Sequence, residues 1–188
     1  MKALDHDLVM KLPFLSFLSK QYLRSIPNDF QSAKKSLKEG WQILVYPGGA
    51  WESSRPTTHR DRIDFNGRSG FIRLARDAGV PIVPIISTGA HDGLYIWRWG
   101  HRLAKLFRFD KLFRVDTFPI GLSFPFIFYI GPFVPFLPLR RKVILDVLAP
   151  LYVESLAGAD DGEKSKYLVA QMQKAIDSAV KQLPRSEM

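Results

Sequence analysis

The apolar and polar positions along the chain fall into blocks that predict an order of elements. Ser32 to Glu39 reads as a short helix closed by Gly40, a residue suited to a left-handed cap. Gln42 to Tyr46 follows as a strand, and Pro47 to Asn66 as a long polar connection rich in Arg, Ser, Thr and Pro. Connections of that length inside a compact domain are generally functional or mobile. From Arg68 to Ala78 the spacing is helical, with Phe71, Ile72, Leu74 and Ala75 on one side and Arg73, Arg76 and Asp77 on the other; Gly79 ends it. Val80 to Ile86 is a second apolar strand. Strand, connection with helix, and strand predict a right-handed βαβ unit with parallel pairing. Lys142 to Leu148 reads as a further strand, whose apolar run suits a covered sheet. Glu163 to Leu183 is the clearest helix: Leu168, Met172, Ala175, Ile176, Ala179 and Leu183 share one face, and Pro184 stops it. The pattern predicts an α/β fold, with a mixed, largely parallel sheet flanked by helices. One domain is expected over residues 1–184, with a tail at 185–188.

The chain's 188 residues suffice for a proper core. It has no cysteine, which excludes a disulfide framework, a thiolate nucleophile and a cysteine-based zinc site. No metal site is expected. The net charge of +9 points to an anionic partner: nucleic acid, an acidic membrane surface or a phosphorylated substrate. Met1 to Lys20 lacks the long apolar core of a signal peptide. Phe118 to Pro138 carries no charge, yet its five prolines would break a spanning helix, so it reads as short extended pieces.

The densest local signal is Leu44-Val45-Tyr46-Pro47-Gly48-Gly49-Ala50-Trp51-Glu52. A short apolar strand there ends in a tight loop, as at the carboxyl edge of sheets that bind ligands. Two glycines leave backbone N–H groups uncovered for an anionic or carbonyl oxygen. Further on come Gly67-Arg68-Ser69-Gly70-Phe71-Ile72-Arg73-Leu74-Ala75 and Gly79-Val80-Pro81-Ile82-Val83-Pro84. Together these blocks resemble the glycerolipid and lysophospholipid acyltransferase superfamily, and most of all its diacylglycerol-acyltransferase-like branch, which carries Pro-Gly-Gly-x-x-Glu. The resemblance runs from about Leu4 to Leu183.

The resemblance implies a glycerol-3-phosphate acyltransferase-like fold and a role in lipid biosynthesis and phospholipid metabolism. Its reaction would be O-acyl transfer from acyl-CoA or acyl carrier protein to a lipid or polyol hydroxyl. No cofactor is implied beyond that donor. The glycine block would line the acceptor or the developing oxyanion, with Pro47, Gly48, Gly49, Ala50, Glu52, Arg55 and Arg68 as substrate-binding residues. The family's base is a His-x-x-x-x-Asp pair, a histidine held by a carboxylate. No such pair precedes Tyr46: His6 stands alone there, and Lys11 occupies the place of its Asp. The N-terminal portion that would carry the pair is therefore expected to be missing. Three readings stand open: a fragment, a degenerate member that binds lipid or acyl chains at a membrane without catalysis, or a member with another histidine in charge.

His59 and Asp64 have the right spacing but follow the glycine block, and are the candidates for that third reading. Adjacent His91 and Asp92 would point apart on a strand and make a poor dyad, so a turn-stabilising role is expected for them. Glu52 has two readings: orienting the glycine loop or contacting an acceptor hydroxyl, against a surface ion pair with Arg55 or Arg68. Arg98, His101, Arg102, Lys105 and Arg108 form a basic stripe at helical spacing, opposed by Trp99, Leu103, Leu106 and Phe107. A basic amphipathic helix of this kind suits an anionic membrane surface. No nucleic-acid-binding motif is present, so no nucleic acid is expected. The expected setting is peripheral, on the cytoplasmic side of a membrane.

Overall fold

The computed structural model describes residues 1–5, 17, 21, 24–93, 95–98, 120–122, 129–130 and 142–182. Its contacts divide into two compact units. The first holds Met1–Pro47, Arg68–Ile82 and Leu151–Ser165; the second holds Gly48–Gly67, Val83–Pro150 and Lys166–Met188.

In the first unit β1 (Lys2–Asp5) lies between β2 (Ile26–Pro27) and β3 (Ile43–Leu44), parallel to both. Helix α1 (Phe30–Lys38) starts because the Asp29 side chain accepts from the Ser32 N–H at 2.8 Å; the Ser32 hydroxyl first, and that N–H second, hold the Asp29 carboxyl below its ordinary range. Helix α3 (Gly70–Ala78) buries Ile72, Leu74 and Ala75, and leaves Arg73, Arg76 and Asp77 exposed. The apolar spacing thus sets which side faces the core. Gly79, at φ 64°, closes α3 with a left-handed cap. Val153 and Leu156 complete this core. The Arg76 guanidinium forks onto Asp161, and the Ser165 hydroxyl donates to the Arg68 carbonyl at 3.0 Å.

The second unit contains the short helix α2 (Gly49–Ser53) and a single turn at Thr57–His59. Strand β4 (Ile85–Thr88) pairs antiparallel with β8 (Ile144–Val147), from Ile85 opposite Val147 to Thr88 opposite Ile144. The turn Ala90–Gly93 follows β4. A second antiparallel sheet joins β5 (Tyr95–Arg98), β6 (Ile120–Leu122) and β7 (Tyr129–Ile130). Helix α4 (Asp161–Gln182) begins in the first unit and continues in the second, where Leu168, Met172 and Ile176 are buried, as are Phe65, Ile86 and Ile96.

The fold is mixed α/β, but parallel pairing among the described residues is confined to β2-β1-β3. The expected βαβ unit does not form, because β3 and β4 belong to different sheets. Pro81 and Pro84 lack the N–H that a ladder needs. Regular pairing therefore starts at Ile85, and it runs to β8. The Pro84 carbonyl still accepts from the Leu148 N–H at 2.9 Å. Nor is β8 covered on both faces: Leu145 and Val147 are 65% and 67% exposed. That is the one-sided burial of an antiparallel sheet. Arg98 ends strand β5 instead of opening a helix, since Ile96 turns inward and Tyr95 and Trp97 outward. Trp99, His101, Arg102, Lys105 and Arg108 lie outside the described residues. Within the uncharged proline-rich stretch, the described pieces are the short strands β6 and β7.

Candidate functional site

The glycine block ends the first unit at Pro47 and opens the second at Gly48. Gly48 is buried, and α2 begins at Gly49, whose φ is 51°. A side chain at position 48 would collide with Cβ of Glu52 and press on its Oε2. The glycine is therefore required by Glu52, one helical turn on, which folds back over it. The Glu52 N–H reaches the Gly48 carbonyl at a long 3.4 Å.

Glu52 does pair with Arg55, at 2.9 Å between Oε1 and Nη1, and the pair is part-buried instead of fully exposed. Their side chains are 23% and 9% exposed. Burial raises the Glu52 carboxyl above its ordinary value, against the pull of Arg55; burial lowers Arg55, against the pull of Glu52. Arg68 donates to the Pro47 carbonyl at 3.2 Å, within the first unit.

Trp51, Glu52, Arg55, His59, Arg62 and Asp64 line a cavity of about 190 Å³. His59 and Asp64 thus share a cavity. Asp64 accepts from the Trp51 indole N–H at 3.0 Å through Oδ2, and from the Asn66 N–H at 2.8 Å through Oδ1. Nδ1 of His59 is 3.0 Å from the Thr58 hydroxyl. A second cavity of about 570 Å³ lies along the same segment, lined by Thr58, His59, Asp61, Arg62, Ile63, Gln173 and Asp177. Gln173 of α4 anchors that segment: its Nε2 donates to the Asp61 carbonyl at 2.8 Å, and its Oε1 accepts from the Ile63 N–H at 2.9 Å.

Reading the sequence missed His91 as part of this cluster. Its pKa is lowered from 6.5 to about 4, by burial first and then by the Arg55 charge; a hydrogen bond to the Glu52 backbone and the carboxylates of Asp92 and Asp61 act in the opposite sense. Its Nε2 is buried without a partner. Arg55 Nε is likewise buried and unpartnered. Burial thus favours the neutral imidazole near neutral pH. Its neighbour Asp92 reaches Arg60 instead, at 2.9 Å. The signal available in the sequence was a histidine just past an apolar strand, where side chains meet loops from elsewhere.

The chain matches the family model described as "Diacylglycerol acyltransferase" over residues 17–177. It is 31% identical over 124 residues to "Diacylglycerol O-acyltransferase 1" of Eremothecium gossypii, covering 64% of this chain and 26% of that protein. It is 31% identical over 121 residues to "Diacylglycerol O-acyltransferase 2B" of Umbelopsis ramanniana, covering 63% and 34%. It is 27% identical over 151 residues to the "DGAT1/2-independent enzyme synthesizing storage lipids" of Bos taurus, covering 77% and 41%. The match thus spans about a quarter to two fifths of the length of these relatives. No solved structure matches the chain.

Proposed function

The chain belongs to the diacylglycerol acyltransferase family, and on that premise we propose that it serves O-acyl transfer from an acyl thioester to the hydroxyl of a diacylglycerol-like lipid. The alcohol oxygen bonds to the thioester carbonyl carbon, the carbon–sulfur bond breaks, and the hydroxyl proton ends on the departing thiol. The donor is acyl-CoA or acyl carrier protein. The wider kinship is with the glycerolipid and lysophospholipid acyltransferases, through Pro47-Gly48-Gly49 and Glu52.

The observation that carries this reading is the part-buried Glu52–Arg55 pair. The family's glycine block is built around it, and it lines a cavity of about 190 Å³ with His59 and Asp64. A paired carboxylate and guanidinium with little solvent offer an acceptor hydroxyl both a hydrogen-bond acceptor and a donor in a medium where such bonds are strong. Gly48, Gly49, Ala50, Glu52 and Arg55 then form the acceptor side; Pro47 and Arg68 hold the strand end that leads into it. The setting is peripheral, at the cytoplasmic face of an anionic membrane. Among the described residues no helix is long and apolar enough to cross one.

A lipid-binding module without catalysis is the second reading. It is favoured by the engagement of both Asp64 oxygens with Trp51 and Asn66, which leaves that carboxylate poorly placed to support a histidine base. A panel of labelled acyl-CoA and acyl carrier protein donors against mono- and diacylglycerols separates the two. Labelled ester on a glycerol hydroxyl is the expected product. Lipid binding with no ester from any pair supports the second reading.

A further inference from the structure

Strands β4 and β8 leave an apolar face in solvent. Across the pair Ile85 stands opposite Val147, and Ser87 opposite Leu145. Ile85, Leu145 and Val147 are 45%, 65% and 67% exposed, while Ile86 and Thr88, which point the other way, are buried. Val83 and Val143, just ahead of the two strands, continue the same alternation and are exposed too. Five aliphatic side chains therefore share one side, with the Ser87 hydroxyl among them. The carboxylate of these strands, Asp146, stands opposite Ile86 on the inward side. Positive charge lies at one end of the face. Lys142 is exposed beside the Thr88–Ile144 end of the sheet, where its carbonyl packs so close to Gly89 that a side chain at position 89 would collide with it. Arg140 and Arg141 precede Lys142 in the chain.

We propose that the outward face of the β4–β8 pair, with the basic run Arg140-Arg141-Lys142 at its end, docks the protein on an anionic lipid bilayer. An uncharged aliphatic row of this kind marks an interaction surface. A second copy of the chain is the poorer occupant, because a standard protein interface uses roughly 20–30 residues a side and this face offers five apolar ones. Acyl chains ask for no matching shape, so a short row of Val, Leu and Ile suffices to enter them. The charge is complementary as well: the basic run would meet anionic headgroups, with no carboxylate from either strand on that side to oppose it. That docking serves acyl transfer rests on the reading above; that the face binds anionic lipid does not.

Sedimentation with vesicles of phosphatidylcholine and phosphatidylglycerol tests this, with phosphatidylcholine alone as the comparison. The native protein should sediment with the mixed vesicles and bind less as salt rises. Leu145→Ser together with Val147→Ser should cut binding about tenfold and leave the melting temperature unchanged, since both side chains already stand in water. Arg140→Gln, Arg141→Gln and Lys142→Gln together should weaken binding to mixed vesicles and flatten its salt dependence. This charge variant carries the test if the serine pair fails to fold. Tyr152→Ser, at an exposed aromatic of the first unit, should bind as the native protein does. Failure of the native protein to sediment, native binding by either variant, or an equal loss in Tyr152→Ser would overturn the proposal. A native dimer in light scattering that the serine pair dissociates would give the face to a second copy instead. Acyl transfer to soluble dihexanoylglycerol should be the same in the native protein and the serine pair, and slower in the pair when dioleoylglycerol is offered in mixed vesicles. If the native protein binds these vesicles but makes ester with neither acceptor, the docking surface stands and the acyl-transfer reading falls.

Discussion

At position 48 the absence of a side chain matters because of Glu52, and at position 91 the ring matters because of what surrounds it. The first depends on a contact one helical turn away, the second on residues far apart in sequence. Pro47-Gly48-Gly49 was legible as a special loop, and the structure changes the reason: one glycine clears room for a carboxylate that pairs inward. His91 gives the sharpest prediction at this scale. Its folded value, about 4, lies below its ordinary 6.5. The unfolded chain therefore binds a proton that the folded chain refuses between those values, and stability falls as pH drops through that window. The shift predicts a loss of about 2 kcal/mol between pH 7 and pH 5. Glu52, with its raised value, acts in the opposite sense near its own titration, so the comparison is with His91→Asn, which keeps Glu52 and removes the imidazole. Urea unfolding of the two at both pH values should show the acid loss in the native protein and its absence in the variant.

At the scale of elements, local signals worked where local forces decide. Helices α1, α3 and α4 appear close to their expected bounds, because cap residues and apolar spacing act within a few positions. The strands were harder. Ile82 and Ile85 read as one strand, but the proline between them ends one pairing and starts another: Ile82 bridges Leu151, and Ile85 faces Val147. No spacing rule names a strand's partner. The long polar connection after Pro47 was legible as an exception, not as a short helix and a turn tied down from α4. Gln173 does that tying with two bonds to the backbone of residues 61 and 63. Replacing it by Leu should strip both partners and cost about 1–3 kcal/mol in denaturant unfolding, with the larger change in exchange at Ile63. A cost near zero would mean that water replaces the amide without loss.

Across the whole molecule, kinship to an acyltransferase family was legible because the blocks are short and ordered, and the diacylglycerol acyltransferase match over residues 17–177 supports it at that level. The basic balance of +9 calls for an anionic partner of some kind. What the sequence could not show is how the glycine block is used. The half-buried pair of Glu52 and Arg55 lines a cavity beside that block. The central claim is that this pair serves the reacting lipid. Glu52→Gln tests it most directly, because the amide keeps the shape over Gly48 and removes the charge. Measured as acyl transfer from labelled acyl-CoA to diacylglycerol, beside the melting temperature, the variant should lose tenfold or more in rate, about 1.4 kcal/mol of transition-state stabilisation. Its melting temperature should stay within a few degrees. Equal rates in the native protein and Glu52→Gln would contradict the account and leave the pair as a packing device.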